Sequence, residues 1–256
     1  MSKKVALITG AGAGLGKKLA LKLASNGFDI AINDINDKAL AEAEEEIKQL
    51  GVDCLSLKAD VSDNVQVKSM FDQLIGKYGR IDVLVNNAGI CPIEDILEVT
   101  PESFERAMNI NFISMYTCAH YAIPHMIKQG WGRIINAGST ASFTQTPIQL
   151  GYCTSKWAIR GLTRNLASAL AKYNITVNAY CPGAMDTAMQ EHILAEGSKL
   201  ANMPLDAYTK AKVARIPIGR WIMEEEVASF VSYLASEEAA AITGQSILID
   251  GGTIMN

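Results

Sequence analysis

Histidine is scarce in this chain: only His120, His125 and His192 occur, and the first two stand five residues apart instead of at the four-residue spacing of a helical metal pair. That spacing supports surface or core histidines and no histidine-based metal site. Cys54, Cys91, Cys118, Cys153 and Cys181 are odd in number, far apart and never arranged as C-x-x-C. Neither a disulfide framework nor a zinc site is encoded. No apolar run approaches the ~18 residues of a membrane span, and the short run at the N-terminus turns into glycines too soon for a signal peptide. An excess of positive charge is missing as well, since 23 Lys and Arg face 27 Asp and Glu for a net charge of −4. No broad basic field is available to nucleic acid or an anionic membrane. The expectation is a reduced, cytoplasmic protein with neither partner.

What is present is an ordinary globular composition, 49% hydrophobic and 20% charged over 256 residues, ample for a sizeable core. Aliphatic runs at 5–9, 29–33, 53–58, 81–86, 132–137, 175–180 and 246–250 predict seven strands. Helical apolar spacing at 15–26, 37–50, 65–78, 101–128, 152–173 and 224–235 predicts the helices between them. Unbroken apolar strands alternating with helices imply a parallel sheet covered on both faces. The fold class expected is therefore α/β, a single Rossmann-like doubly wound parallel sheet of about seven strands, one domain over 1–256. Residues 186–222 break the rhythm, with scattered apolar residues between Pro204 and Pro217 and ahead of them, and predict a small helical lid insertion. A ligand is expected outside the C-terminal strand ends, where strand order reverses.

The first strand runs into Thr9-Gly10-Ala11-Gly12-Ala13-Gly14-Leu15-Gly16 and then a helix. Glycines there let the backbone approach a pyrophosphate and open a helix N-terminus whose free N–H groups favour the anion. The spacing is T-G-x-x-x-G-x-G through Gly10, Gly14 and Gly16, not G-x-G-x-x-G, and an ordinary tight turn would share the glycines. Gly10, Gly14, Leu15 and Gly16 are the candidate phosphate-side residues. The second strand ends at Asp34, near the ~20-residue offset of a carboxylate that binds the adenosine ribose. Such a carboxylate accepts from both ribose hydroxyls and repels a 2′-phosphate, and neither Ala13 nor Ile35 supplies a compensating cation. NAD is the cofactor expected. A role for Asp34 as helix N-cap competes with this, although Asn36 or Asp37 can cap the same helix.

Moving a hydroxyl proton without zinc and with few histidines makes a tyrosine assisted by lysine a candidate. Tyr152 and Lys156, four apart, share one helix face, but so do Tyr208 and Lys212. Context separates the pairs: Tyr152 opens a helix after a strand and a Ser-rich loop ending in Ser139 and Thr140, whereas Tyr208 lies in the irregular insertion. An ammonium at ~4 Å and an effective dielectric of ~20 would favour the phenolate by ~4 kcal/mol, opposed by desolvation. The positive ring of an oxidised nicotinamide acts in the same sense, toward a phenol able to serve as general base. Ser139 is the candidate to hydrogen-bond the substrate oxygen.

These residues in this order make the chain resemble the short-chain dehydrogenase/reductase family, in its compact single-domain form, over essentially the whole length. The motifs are the Thr9–Gly16 loop, Asp60-Val61, Asn86-Asn87-Ala88-Gly89, Asn111, Ser139, Tyr152 thirteen residues later, Lys156, Pro182-Gly183 with Thr187, and Asp250-Gly251-Gly252. The resemblance implies that Ser139, Tyr152 and Lys156 are catalytic and that Asn111 holds a water in a proton relay from Lys156. Asn111 is chosen over Asn109 because Phe112 and Ile113 follow it. The resemblance further implies that Asp60 and Val61 meet the adenine, that Asn87, Ala88 and Gly89 line the cofactor cleft, and that Pro182, Gly183 and Thr187 flank the nicotinamide amide, with Tyr152 and Lys156 also touching the cofactor. It implies a homotetramer built on helices around 109–128 and 151–173. One departure stands at Arg220-Trp221-Ile222-Met223-Glu224, where relatives usually carry glycine and proline before the acidic helix start.

An NAD-dependent alcohol dehydrogenase or carbonyl reductase accounts for every motif. A 3-oxoacyl-thioester reductase, usually NADPH-dependent, and a non-catalytic NAD(H) sensor are the alternatives; Asp34 and Ala13 oppose the first, and a sensor has no need of Ser139, Tyr152 and Lys156. By resemblance, including the tract 144–149, the substrate expected is a small diol, hydroxyketone or sugar alcohol. Gln145 is the candidate contact to its neighbouring hydroxyl, with 185–193 and Trp221 closing over the apolar side.

Overall fold

Strand β1 (Val5–Thr9) is buried along its whole length, and its side chains alternate between two cores. Ala6 and Ile8 enter one core and Leu7 the other, the period-2 consequence of the pleat. The alternation repeats in β2 (Asp29–Asp34), β4 (Val83–Asn86) and β5 (Gly132–Ala137), while β6 (Ile175–Pro182) gives Ile175 and Val177 to the second core and Ala179, Tyr180 and Cys181 to the first. Ile30, Val85 and Ile135 join Ile8, while Ala31, Leu84 and Ile134 join Leu7. Two buried faces explain why these strands read as unbroken apolar runs. In this computed structural model, which describes residues 3–255, they combine with β3 (Cys54–Lys58) and β7 (Ser246–Ile249). The result is one seven-stranded parallel sheet in the order β3-β2-β1-β4-β5-β6-β7. Residues 1, 2 and 256 of the expected 1–256 domain lie outside the described residues.

The first core is closed by α1 (Gly14–Ser25), α2 (Asp37–Lys48) and α9 (Glu224–Leu234), through residues such as Leu19, Ile47 and Val231. The second is closed by α3 (Asn64–Tyr78), α5 (Ser114–Gln129) and the C-terminal half of α6 (Leu150–Leu170), through Phe71, Met126 and Leu170. Strand β6 runs two residues beyond the predicted end, because Cys181 and Pro182 still pair with Leu248 and Ile249 of β7. The predicted 186–222 insertion contains α7 (Ala188–Leu200) and α8 (Leu205–Val213), with Pro204 standing just before α8. Thr187 caps α7 by accepting the Gln190 N–H at 3.3 Å.

The predicted helix 101–128 is not continuous. Helix α4 (Pro101–Met108) passes through a π-helical stretch, Asn109–Ile113, before α5 begins. Asn111 lies in that stretch, fully buried, and its side chain binds the Ile90 backbone on both sides: Ile90 N–H donates to Oδ1 at 2.8 Å and Nδ2 donates to the Ile90 carbonyl at 2.9 Å. Helical periodicity does not register such a widening, because a five-residue stretch is too short to show a change of period.

Candidate active site

Strand order reverses between β1 and β4, and a cavity of about 580 Å³ opens at their C-terminal ends. The crevice is held by short side chains. Asn87, just past β4, donates from Nδ2 to the carbonyls of Thr9 and Gly10, both at 3.0 Å, and Thr9 Oγ1 accepts from the N–H groups of Asn87 and Ala88. Tyr180 Oη donates to the remaining Asn87 oxygen at 2.9 Å. Glycine is obligatory at two points of the turn. Gly10 has φ +63°, and a Cβ there would meet Ala88 Cα at 2.8 Å; a Cβ on Gly16 would overlap the Gly10 carbonyl oxygen.

Gly10, Gly14, Leu15 and Gly16 all line the cavity. Ala13 is the N-cap of α1 and offers no side-chain bond, and the first turn holds no acid. The helix thus opens on the cavity with no side-chain cap on its N–H groups, a fit for a dinucleotide's phosphates, with Glu224 Oε1 standing 3.6 Å from where a Cβ on Gly14 would be. Asp34 also lines the cavity. Its carboxylate accepts from the N–H groups of Gly12 at 3.0 Å and Asn36 at 3.1 Å. The cap of α2 is Asn36, which accepts the Ala39 N–H at 3.2 Å. The alternative reading of Asp34 as a helix cap is thereby removed.

Ser139, Tyr152 and Lys156 meet on the opposite wall. Ser139 ends the β5 loop in extended geometry and caps the following 3₁₀ turn, its Oγ accepting the Ala141 N–H at 3.1 Å. Tyr152 and Lys156 rise from one face of α6, with Lys156 Nζ 5.3 Å from the Tyr152 ring centroid. Nζ donates to the Ala137 carbonyl at 2.6 Å. Burial lowers Lys156 to about 8, since removal from water penalises the ammonium. Burial also pushes the Tyr152 phenol up, with the Cys91 thiol adding to the rise and hydrogen bonding with Ser139 opposing it. Among the chain's own groups, the expected depression of the phenol is therefore outweighed by desolvation.

Ala88, Gly89, Pro182, Gly183 and Thr187 line the cavity. Asp60, Val61 and Gln145 do not. Val61 is buried, and the Asp60 carboxylate accepts from Ser62 N–H at 2.8 Å and Ser62 Oγ at 2.6 Å. Gln145 is exposed on the outer side of its loop, while Thr144, Thr146 and Gln149 of the same tract face the cavity. Gln149 is buried and donates to Cys91 Sγ at 3.2 Å. An irregular loop carries no period, which is why the tract is recognisable in the sequence and its inward residue is not. Trp221 is also off the wall; its neighbour Ile222 donates to the Ala184 carbonyl at 3.0 Å and bridges to Met185, and Met185 and Met189 border the cavity. At the departure noted in 220–224, Arg220 makes a two-pronged ion pair with Glu226 at 2.7 and 2.9 Å, and Glu226 also accepts the Met223 N–H. That ion pair ties the start of the turn to the first turn of α9.

Asn111 is not on the cavity wall, and both hydrogens of its amide are spent, on the Ile90 carbonyl and on Ser155 Oγ at 3.1 Å. Asn109 is not on the wall either. Sequence reasoning missed Tyr180, Gln149, Lys212 and Arg215 as cavity residues. The first two had a usable signal in their nearness to a strand end and to Tyr152. All five cysteines are free and buried. Among the described residues no group of His, Cys, Asp and Glu is arranged to hold a metal, and no helix is long and apolar enough to cross a membrane.

A family model described as enoyl-(acyl carrier protein) reductase, of the short-chain alcohol dehydrogenase type, matches residues 10–253. The chain is 40% identical over 256 residues to L-2,3-butanediol dehydrogenase of Corynebacterium glutamicum, covering 99% of each chain. Among solved structures it is similar to an NAD⁺-bound xylitol dehydrogenase, at TM-score 0.94 and 32% identity over 97% of this chain and 98% of that one. It is equally similar in fold to a variant of actinorhodin polyketide ketoreductase with NADPH, at TM-score 0.94 and 30% identity over 98% and 97%. The chain belongs to the short-chain dehydrogenase/reductase family. It is an alcohol dehydrogenase/carbonyl reductase that uses a nicotinamide cofactor on a small-molecule substrate.

The buried lysine has a measurable signature. Its folded pKa of about 8 lies below the ordinary 10.5, so between those pH values the unfolded chain binds a proton that the folded chain does not. Stability is then gained as pH rises through that window. Relative to Lys156→Met, the unfolding free energy of the unmodified protein should improve by about 2 kcal/mol between about pH 7.5 and pH 10 in urea titrations. A flat difference would show that Lys156 is not depressed.

Proposed function

We propose that the protein interconverts a secondary alcohol and a ketone on a small diol, hydroxyketone or sugar alcohol, with NAD(H) as cofactor. The observation that carries this reading is the convergence of Ser139, Tyr152 and Lys156 on the wall facing the glycine cradle. The nicotinamide dinucleotide, when bound, supplies hydride transfer to or from the carbinol carbon. The chain's own residues handle the oxygen and its proton. Tyr152, held as a phenol by burial, gives its proton to the ketone oxygen in reduction. Ser139 donates to the same oxygen and stabilises the charge that builds there. Lys156, largely protonated below about pH 8, stabilises the phenolate left behind, and in oxidation it helps Tyr152 accept the hydroxyl proton. Asn111 acts as a positioning residue, tying the loop after β4 to the α4–α5 bend. Its amide is committed there, so a relay water at this point would be held by main-chain groups.

Support for NAD comes from the ribose end. Asp34 is oriented by two N–H donors, and no Lys or Arg stands among the cavity residues of the glycine loop. A 2′-phosphate would face a fixed carboxylate with nothing to offset the repulsion. Asp60 and Val61, off the wall, bear on the adenine only by framing the end of β3. Support for a hydroxylated substrate comes from Gln149, which takes the role expected of Gln145, and from relatives named for butanediol and xylitol. Exposed Ile113, Tyr116 and Trp157, at the π-helical stretch and on α5 and α6, support the homotetramer, and five buried free thiols support the cytoplasm.

Three measurements test the reading. Tyr152→Phe should abolish turnover while NADH still binds, as read by cofactor fluorescence, whereas Tyr208→Phe should lose little; retained turnover in Tyr152→Phe sinks the assignment. In steady-state kcat/KM the unmodified protein should prefer NAD, and Asp34→Ser with Ala13→Arg should move that preference toward NADP. An initial preference for NADP would overturn the role given to Asp34. Butane-2,3-diol should exceed butan-2-ol by at least ~10-fold in kcat/KM, because a buried amide left unpaired is costly, and Gln149→Ala should shrink that ratio. Equal rates for the two alcohols would remove the diol reading and leave the dehydrogenase standing.

A further inference from the structure

The second tyrosine–lysine pair, Tyr208 and Lys212, lies on α8 and has a definite place. Tyr208 packs on α7, where a Cβ at Gly197 would meet its Oη at 2.6 Å. Lys212 Nζ stands 5.1 Å from the Tyr208 ring centroid. Lys212 and Arg215, one turn apart on one side of the helix end, both reach the cavity wall. Neither side chain makes an ion pair or hydrogen bond among the described residues. Lys210 on the same helix does, with Asp206 at 3.9 Å. Asp34 is the one carboxylate on the cavity wall among the described residues, and it belongs to the end of β2.

Position separates these cations from the dinucleotide's phosphates. Ile216, which follows Arg215, packs on the turn after β7, where a Cβ at Gly251 would meet Ile216 Cγ2 at 2.9 Å. Thr253 of that turn is on the same wall. Strand β7 is four positions from β1 in the sheet, roughly 19 Å at about 4.8 Å per strand. The glycine cradle lies at β1. The cavity therefore has two positive poles, one made by the N-terminus of α1 and one by the end of α8, and the dinucleotide phosphates answer only the first. At the second pole Met189, Ile193 and Ile216 supply apolar walls, which strengthen any charge pairing made there.

We propose that Lys212 and Arg215 form an oxyanion-binding subsite for the substrate, so that the preferred alcohol or ketone carries a terminal carboxylate or phosphate. The inference rests on the alcohol–ketone reading above for its chemistry and adds the charge of the substrate. A guanidinium presents paired donors that match either oxyanion, and the flexible ammonium adds a second point of contact.

The test compares 2,3-dihydroxybutanoate with butane-1,2,3-triol, which share a carbon skeleton and the vicinal hydroxyls and differ in the terminal charge. The acid should exceed the triol at least ~10-fold in kcat/KM, a factor worth about 1.4 kcal/mol, and raised salt should narrow the gap. Lys212→Met with Arg215→Met should lower the acid-to-triol ratio by that factor, acting on the KM for the acid, and Arg215→Lys should restore part of it. Lys210→Met, on the same helix, should leave the ratio in place. 2-Hydroxypropyl phosphate distinguishes the source of the oxyanion: a higher kcat/KM than the acid, abolished by the same double variant, assigns the subsite to phosphate. Calorimetry of the protein–NADH complex with 2,3-dihydroxybutanoate separates the two levels of inference. Saturable binding weakened ~10-fold in the double variant, without turnover of either probe, would sustain the subsite and overturn the diol reading. A wild-type ratio of one or less, or a ratio and binding constant indifferent to the double variant, would overturn the subsite.

Discussion

The close approach of two backbones at the point where strand order reverses is the constraint on which the rest of this structure depends. The turn after β1 can fold over the turn after β4 only because Gly10 and Gly16 carry no Cβ where Ala88 and the Gly10 carbonyl come within contact distance. Asn87 and Thr9 then satisfy the polar groups that this approach would otherwise strand, and Tyr180 fixes the last Asn87 oxygen from β6. A buried unpaired carbonyl or N–H would cost about 1–3 kcal/mol each. The same stitching that closes the fold also aims the start of α1 at the cavity, so the candidate phosphate cradle and the sheet closure share one set of atoms.

The opposite wall is organised by burial of charge. Lys156 is held almost out of water against the Ala137 carbonyl, and the consequence is a depressed ammonium beside a phenol whose own ionisation is disfavoured. Burial thus opposes the Tyr152 phenolate, and the positive ring of an oxidised nicotinamide, when bound, would offset that cost. The loop that carries Ser139 is braced from outside the site. Arg160 donates to the Ser142 carbonyl at 3.0 Å and Trp157 to the Thr144 carbonyl at 3.3 Å, so residues on the outer face of α6 set the position of groups on its inner end.

The helical insertion adds a further wall. Helices α7 and α8, with the turn that follows them, contribute Met189, Ile193 and two cations without ion-pair partners to a wall that the sheet alone would leave open. The Arg220–Glu226 pair and the Ile222–Ala184 backbone bond anchor the return of the chain to α9. The candidate catalytic groups are thus mounted on the loop after β5 and on α6, while the wall facing them is built from shorter, more exposed elements.

The amino-acid sequence by itself determined the parallel sheet, the glycine turn, Asp34 and the Ser139, Tyr152 and Lys156 set. The sheet and the glycine turn are written in local patterns, apolar runs for strands buried on both faces and glycines where no Cβ fits. The four-residue interval of Tyr152 and Lys156, by contrast, is shared by Tyr208 and Lys212, and the strand and Ser139 loop ahead of Tyr152, with the family resemblance, singled out the first pair. Tertiary structure alone decided which residues of irregular segments face the cavity. Gln149 turns inward and Gln145 outward, Asp60 is spent on Ser62, and Asn111 sits in a π-helical stretch that interrupts the predicted helix. It also decided that Lys212 and Arg215 join the cavity wall. The physical reason is the same in every case: a loop or a short helix has no period that records its partner, and its orientation is set by what packs against it from distant parts of the chain.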